Sequence, residues 1–179
     1  MPKVFIRGRK RQKMVILGID PGLAIVGYGV IDCTKGAFTT IAYGAITTPA
    51  HTKVEDRLNL IYDGMTALIE KYKPAEMAIE ELFFTNNITT GISVAEARGV
   101  ALLAARRKGV SIYEYTPLQV KQSVVGYGKA EKKQVQMMVQ TILKLEKMPK
   151  LDDTADALAI AICHAHTGAS RIKGYYNVK

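Results

Sequence analysis

The chain has 179 residues, 48% of them hydrophobic, and its 25 lysines and arginines outnumber 16 acids for a net charge of +9. That length and apolar content suit one packed domain and argue against a disordered segment. Six of the nine excess charges, Lys3, Arg7, Arg9, Lys10, Arg11 and Lys13, fall in residues 1–13, so overall charge is only weak support for a polyanionic partner. Two cysteines, Cys33 and Cys163, are too few for a disulfide framework and fit a reducing, cytoplasmic setting. The longest apolar run, residues 157–163, is far short of a membrane span, and no secretory signal is expected ahead of Asp20.

Residues 1–13 are basic and aperiodic and are expected to form a disordered arm ahead of a domain spanning 14–167. Residues 14–20 are an apolar run that ends on Asp20 and is broken at once by Pro21 and Gly22, the pattern of a strand buried on both faces. Residues 24–32 carry Val26, Tyr28 and Val30 at period two, and a turn at 34–37 leads into a third run, 38–47, which completes an antiparallel meander. From 53 to 72, Val54, Leu58, Ile61, Met65, Leu68 and Ile69 recur at three and four, one face of an amphipathic helix that Pro74 follows. Residues 75–80 form a short strand that again ends on a carboxylate, Glu80. Residues 94–106 are an alanine-rich helix whose small face, with Gly99, would allow another helix close, either this protein's own or a second copy's. A strand at 110–115, a helix opened by Pro117, a break at Gly126 and Gly128 and a helix at 131–145 follow. The last helix is expected over 155–165, with a loose tail at 168–179. Three strands followed by alternating helices and strands predict an α/β fold with a mixed sheet, meander plus parallel strands, covered by helices on both faces.

Four acids stand out. Asp20 and Glu80 end two strands, and Asp153 and Asp156, three apart at a helix start, project from one side of it. Each also has an ordinary structural explanation: Asp20 as the cap of a Pro-Gly turn, and Asp152, Asp153 and Asp156 as helix N-terminal acids. Clustered together, however, the four would require cations. Hard oxygen ligands select Mg²⁺ or Mn²⁺, and two such ions can activate water and stabilise the leaving oxygen of a phosphodiester.

Gly-Ile-Asp-Pro-Gly at 18–22, Ala-Ile-Glu at 78–80, Gln-Val-Lys-Gln at 119–122 and Asp-Thr-Ala-Asp-Ala-Leu-Ala-Ile-Ala at 153–161, in that order, resemble the RuvC family of bacterial Holliday-junction resolvases over about residues 14–166. The resemblance implies a ribonuclease H-like fold, a cytoplasmic homodimer and Mg²⁺-dependent paired nicking of four-way DNA junctions, with two ions per site. It also implies work alongside the RuvA-RuvB branch-migration complex. Position by position, Asp20, Glu80, Asp153 and Asp156 match the catalytic, metal-holding acids, Phe83 the aromatic that engages a junction base, and Lys121 and Lys132 the lysines beside the DNA. Two departures are present: Glu81 stands where a neutral glutamine is expected, and Asp152 adds an acid beside Asp153. Strand alternation allows only one of Glu80 and Glu81 to reach the site, and the motif favours Glu80.

Without the resemblance, Phe83 and Phe84 read as core residues more often than as a base-stacking wedge, and Lys121, Lys129, Lys132 and Lys133 equally as a solvated helix surface or as phosphate contacts beside a Gly-x-Gly turn. Cys163, His164 and His166 lack zinc-site spacing and read as structural. Gly27-Tyr28-Gly29 and Gly126-Tyr127-Gly128 are fragments of a dinucleotide motif at most, so no nucleotide cofactor is implied. An ATPase of the actin and Hsp70 type would need a second domain, for which the chain is too short. A related ribonuclease H-like nuclease acting on RNA or other branched DNA would share the same acids.

Overall fold

The computed structural model describes residues 14–34, 36–82 and 88–172, with side chains over 14–34, 36–82 and 91–168. Phe83 and Phe84, and the arm at 1–13, lie outside the described residues.

The run that opens the domain forms β1 (Val15–Asp20), followed by β2 (Ile25–Thr34), β3 (Ala37–Thr47), α1 (Val54–Tyr72), β4 (Glu76–Glu80), α2 (Ile88–Arg107), β5 (Ser111–Tyr115), α3 (Pro117–Val125), α4 (Lys132–Leu143) and α5 (Asp152–Ile172). The sheet order is β3-β2-β1-β4-β5, with β1 central. β1 pairs antiparallel with β2 and parallel with β4, and β4 pairs parallel with β5. This is the predicted mixed sheet. A central strand buries both faces, which is why residues 15–19 read as a continuous apolar run rather than an alternation.

Side-chain alternation divides the core in two. Val15, Leu17 and Ile19 of β1 and Met77 and Ile79 of β4 face α1 and α2, whose Ile61, Met65, Ala97, Ala101 and Ala104 cover them. Ile16 and Ala78 face the other way, toward α3, α4 and α5. On that side the floor is glycine: a Cβ at Gly18 would stand 2.1 Å from the Ala157 carbonyl oxygen, and one at Gly29 2.6 Å from Leu158. Bare backbone in the sheet and alanines on the helix let α5 lie directly on β1 and β2. The Gly27 and Gly29 pair is therefore a seat for a helix and not part of a nucleotide loop.

The helix ends follow local rules. Pro117 begins α3 behind a capping box in which the Thr116 hydroxyl accepts from the Gln119 amide at 3.1 Å and Gln119 Oε1 accepts from the Thr116 amide at 2.8 Å. Gln119 thus has a structural duty inside the Gln-Val-Lys-Gln block. α5 is longer than expected at both ends, starting at Asp152 and running through Gly168 to Ile172. Among the described residues no helix is long and apolar enough to cross a membrane.

Candidate active site

Asp20 is the last residue of β1 and Glu80 the last of β4. Ile19 lies opposite Ile79 in the parallel register, so the two carboxylates end neighbouring strands side by side, about 5 Å of sheet apart. Alternation sends both to the α5 face with Gly18 and Ala78. The third member arrives from α5. Gly27 is the register partner of Asp20, and the backbone of Asp153 lies so close over it that a Cβ there would be 2.0 Å from the Asp153 carbonyl oxygen. Thr154, buried, donates to the Gly44 carbonyl of β3 at 3.1 Å and fixes the same turn from the other side. One turn on, Asp156 reaches the cleft.

The electrostatics record this crowding. Burial first, then the charges of Glu80, Asp156 and Asp153, push Asp20 up from 3.8 to about 8, against the lowering influence of Lys132. Burial and Asp156 raise Glu80, and burial raises Asp156 despite its bond to Lys132. Lys132 Nζ lies 3.0 Å from Asp156 and 3.2 Å from Asp152. Its partial burial opposes the charge, but the hydrogen bonds and charges of the two aspartates outweigh it and raise the ammonium pKa.

Asp20, Glu80 and Asp156 line one cleft together with Lys121 and Lys132. Asp153 faces the adjoining hollow, with Leu23, Arg57 and Ser93. Glu81, exposed, lines a neighbouring hollow that shares Glu80 and Pro117 with the cleft but does not line the cleft itself, and its amide donates to the Tyr115 carbonyl at 2.9 Å. As strand alternation requires, only one of the pair lines the cleft, and it is Glu80, the residue the Ala-Ile-Glu motif favours. Asp152 is exposed and its oxygens are taken by Lys132 and by Gln136 at 3.0 Å. Lys129 and Lys133 are exposed. Cys163, His164 and His166 do not group as a metal site: His164 bonds Glu76 and Tyr115, and His166 bonds Ser123.

Two arginines carry no signal in the sequence. Arg57 Nε donates to Thr48 Oγ1 at 2.8 Å, and that hydroxyl donates to the Leu23 carbonyl at 2.6 Å, which ties the guanidinium to the loop that follows Asp20, on the hollow that Asp153 also lines. Arg98 Nε donates to the Glu80 carbonyl at 3.1 Å and its guanidinium pairs with Glu114, which steadies the end of β4. Nothing local marks either one; both are defined by partners distant in sequence.

The donor chemistry fits a hard divalent cation. Three partly buried carboxylates hold their protons above the usual range, first because burial strips them of water and then because they crowd one another, and a divalent cation would replace the lost hydration and offset the charge. Among the described residues no three His, Cys, Asp or Glu side chains close on one point as they stand. Asp156 is drawn to Lys132 instead.

Acids from two adjacent strand ends and a helix start, gathered on one face of a mixed sheet whose first three strands form a meander, define a ribonuclease H-like nuclease. The family model for the crossover junction endodeoxyribonuclease RuvC matches residues 16–164. A RuvC of that description from Clostridioides difficile is 58% identical over 86% of this chain and 91% of its own length. One from Heliobacterium modesticaldum is also 58% identical, over 86% and 95%. Among solved structures, Thermus thermophilus RuvC in complex with a Holliday junction substrate superposes with a TM-score of 0.84 at 35% identity, covering 88% of this chain and 96% of that one. The yeast mitochondrial Holliday junction resolvase Ydc2, 14% identical with a TM-score of 0.66 over 89% and 82%, shares the fold. The chain belongs to the RuvC family of crossover junction endodeoxyribonucleases.

Proposed function

We propose that this endonuclease resolves four-way DNA junctions by metal-dependent hydrolysis of two symmetric phosphodiesters, with Asp20, Glu80, Asp153 and Asp156 as its catalytic acids. The observation that carries the reading is the cleft in which Asp20, Glu80 and Asp156, all with raised pKa values, meet Lys121 and Lys132. The four acids would hold Mg²⁺, two ions per site, with Mn²⁺ as a substitute. Bound there, the ions supply water activation and neutralise charge on the leaving oxygen.

The chain's own groups do the rest. Lys121, on the cleft wall opposite the strand ends, meets the phosphate charge as the strand enters, and Lys132 exchanges its aspartate partners for phosphate. Arg57, held by Thr48 on the hollow that Asp153 lines, offers a further cation there. Phe83 directly follows the catalytic strand and is the candidate for stacking on an unpaired junction base.

Paired cuts need paired sites, which a two-fold homodimer provides. α2 bears the candidate contact: its alanines at 97, 101, 104 and 105 are buried on this protein's own core, whereas Ile92 and Leu103 are each 52% exposed and Gly99 faces open space. The RuvA-RuvB complex as partner follows from the family resemblance, and a cytoplasmic setting is supported by the two unpaired cysteines. The test is cleavage of a synthetic four-way junction, a plain duplex and an RNA–DNA hybrid with and without Mg²⁺. Paired nicks confined to the junction and dependent on Mg²⁺ support the reading; preferential cutting of the hybrid would favour the RNA-acting alternative.

A further inference from the structure

Two turns beyond Asp156, on the same side of α5, His164 is fully buried. Its Nε2 lies 2.6 Å from Glu76 Oε2 and its Nδ1 2.7 Å from the Tyr115 hydroxyl. With Glu76 as a carboxylate, Nε2–H donates to it and Nδ1 accepts from Tyr115, so one neutral tautomer satisfies both bonds. The Tyr113 hydroxyl donates to the other Glu76 oxygen at 3.3 Å, and its ring lies 4.5 Å from the imidazole. Glu76 is only 21% exposed, at the opposite end of β4 from Glu80.

The spacings match. Glu76 and Glu80 are four residues apart on one face of a strand, about 13 Å. Asp156 and His164 are eight residues apart on one face of a helix, about 12 Å. α5 therefore crosses β4 in the opposite sense with two rungs, Asp156 facing Glu80 and His164 bonded to Glu76. Tyr115, the register partner of Glu80, ties β5 to the second rung. Thr154 ties the first turn of α5 to β3 and the glycine floor sets how close the helix lies, but the alanine–glycine contact farther along is apolar and non-directional; the hydrogen bonds to His164 add the directional tie to β4.

We propose that His164 is a positioning residue for the nuclease reaction. Anchored by Glu76 and Tyr115, it sets the height of α5 on β4 and so the separation of Asp156 from Glu80 and Asp20. This rests on the reading of those acids as the metal-holding site. His164 touches neither substrate nor ion, and it acts through the backbone of α5 across two helical turns.

The experiment compares His164→Ala, Tyr115→Phe and Glu76→Gln with the wild type and with Met65→Ala. Met65 is buried on the other face of the sheet, and its variant serves as a control of matched thermal stability. Mn²⁺ binding to the junction-free protein is measured by calorimetry, and junction affinity without divalent metal and single-turnover nicking are measured below every variant's melting range. His164→Ala is expected to lose roughly 10- to 100-fold in Mn²⁺ affinity and nicking rate, the usual cost of removing a group that orients metal ligands, with junction affinity within about twofold. Tyr115→Phe, which removes one hydroxyl and keeps the ring, should show a smaller loss in the same direction. Glu76→Gln retains an oxygen that accepts from Nε2–H and should stay near wild type. Mn²⁺ affinity and nicking in His164→Ala equal to those of Met65→Ala would overturn the inference. If His164→Ala does not fold, unaltered Mn²⁺ binding in Tyr115→Phe would overturn it. Absence of Mn²⁺ binding in the wild type would refute the metal site itself, and the inference with it.

Discussion

Replacing Gly27 by alanine should separate catalysis from DNA binding. The new Cβ would stand 2.0 Å from the carbonyl oxygen of Asp153, 2.3 Å from its carbonyl carbon and 3.0 Å from its Cβ. The two nearest obstacles are backbone atoms, so no rotamer change relieves the clash. Restoring an ordinary contact of 3.4 Å requires the first turn of α5 and β2 to part by about 1.4 Å. That turn carries Asp153 and leads directly into the next, which carries Asp156, and Gly27 is paired with Asp20, so the displacement falls between the acids. Overpacking of this kind costs about 1–3 kcal/mol. At about 2–4 °C per kcal/mol for a chain of this size, the melting temperature should drop by several degrees and leave the protein folded at 25 °C. A shift of about 1 Å in reacting groups costs about 100-fold in rate. The assay is single-turnover nicking of a four-way junction, with melting followed by circular dichroism and junction affinity measured without metal. The expected result is a rate lowered about 100-fold with affinity within about twofold, since Lys121 and Lys132 lie on α3 and α4. Wild-type rate and melting temperature in Gly27→Ala would show that the seating of α5 on the glycine floor does not set the geometry of the acids.

Asp20→Asn should abolish nicking yet raise the melting temperature of the cation-free protein at pH 8. Because burial and the neighbouring acids lift Asp20 from 3.8 to about 8, the folded state binds its proton more tightly than the unfolded chain, and stability falls as pH rises through that window. Scans at pH 5 and pH 9 should show this loss in the wild type, its reversal by Mg²⁺ and its attenuation in the variant; a flat wild-type profile would contradict the assigned crowding. Lys121→Ala and Lys132→Ala should each slow nicking and make junction affinity less salt-dependent, by about one unit of log–log slope for each phosphate left without its lysine. An unchanged slope would return them to ordinary surface lysines. Leu103→Arg on the exposed side of α2 should give a monomer by sedimentation that binds junctions and loses coordinated paired nicks. A variant that still sediments as a dimer and makes paired nicks would place the contact elsewhere.

Much of this was legible in the chain itself, wherever the causes are local. Apolar run length and alternation marked all five strands, and the three-and-four spacing marked α1. Pro117 and Gly126 bracketed α3 because a fixed φ opens a helix and a residue at φ 96 closes one. Strand alternation required that only one of Glu80 and Glu81 line the cleft, and the Ala-Ile-Glu motif pointed to Glu80, which does. Tertiary structure decided the rest. That Asp20 and Glu80 stand side by side depends on β1 pairing parallel with β4, sixty residues along the chain, and on a register no local propensity encodes. Gly27 and Gly29 look like phosphate-loop fragments until α5 is laid over them. The alanines of α2 repeat on a helix face in either environment, and only packing shows that one side is buried on the protein's own core while Gly99 and Leu103 stay outside. Arg57, Arg98 and the His164–Glu76 pair carried no readable signal. Their meaning lies in hydrogen bonds to partners 9 to 88 residues away. Periodicity reports which face of an element prefers to leave water, and it is silent about which other element arrives to cover that face.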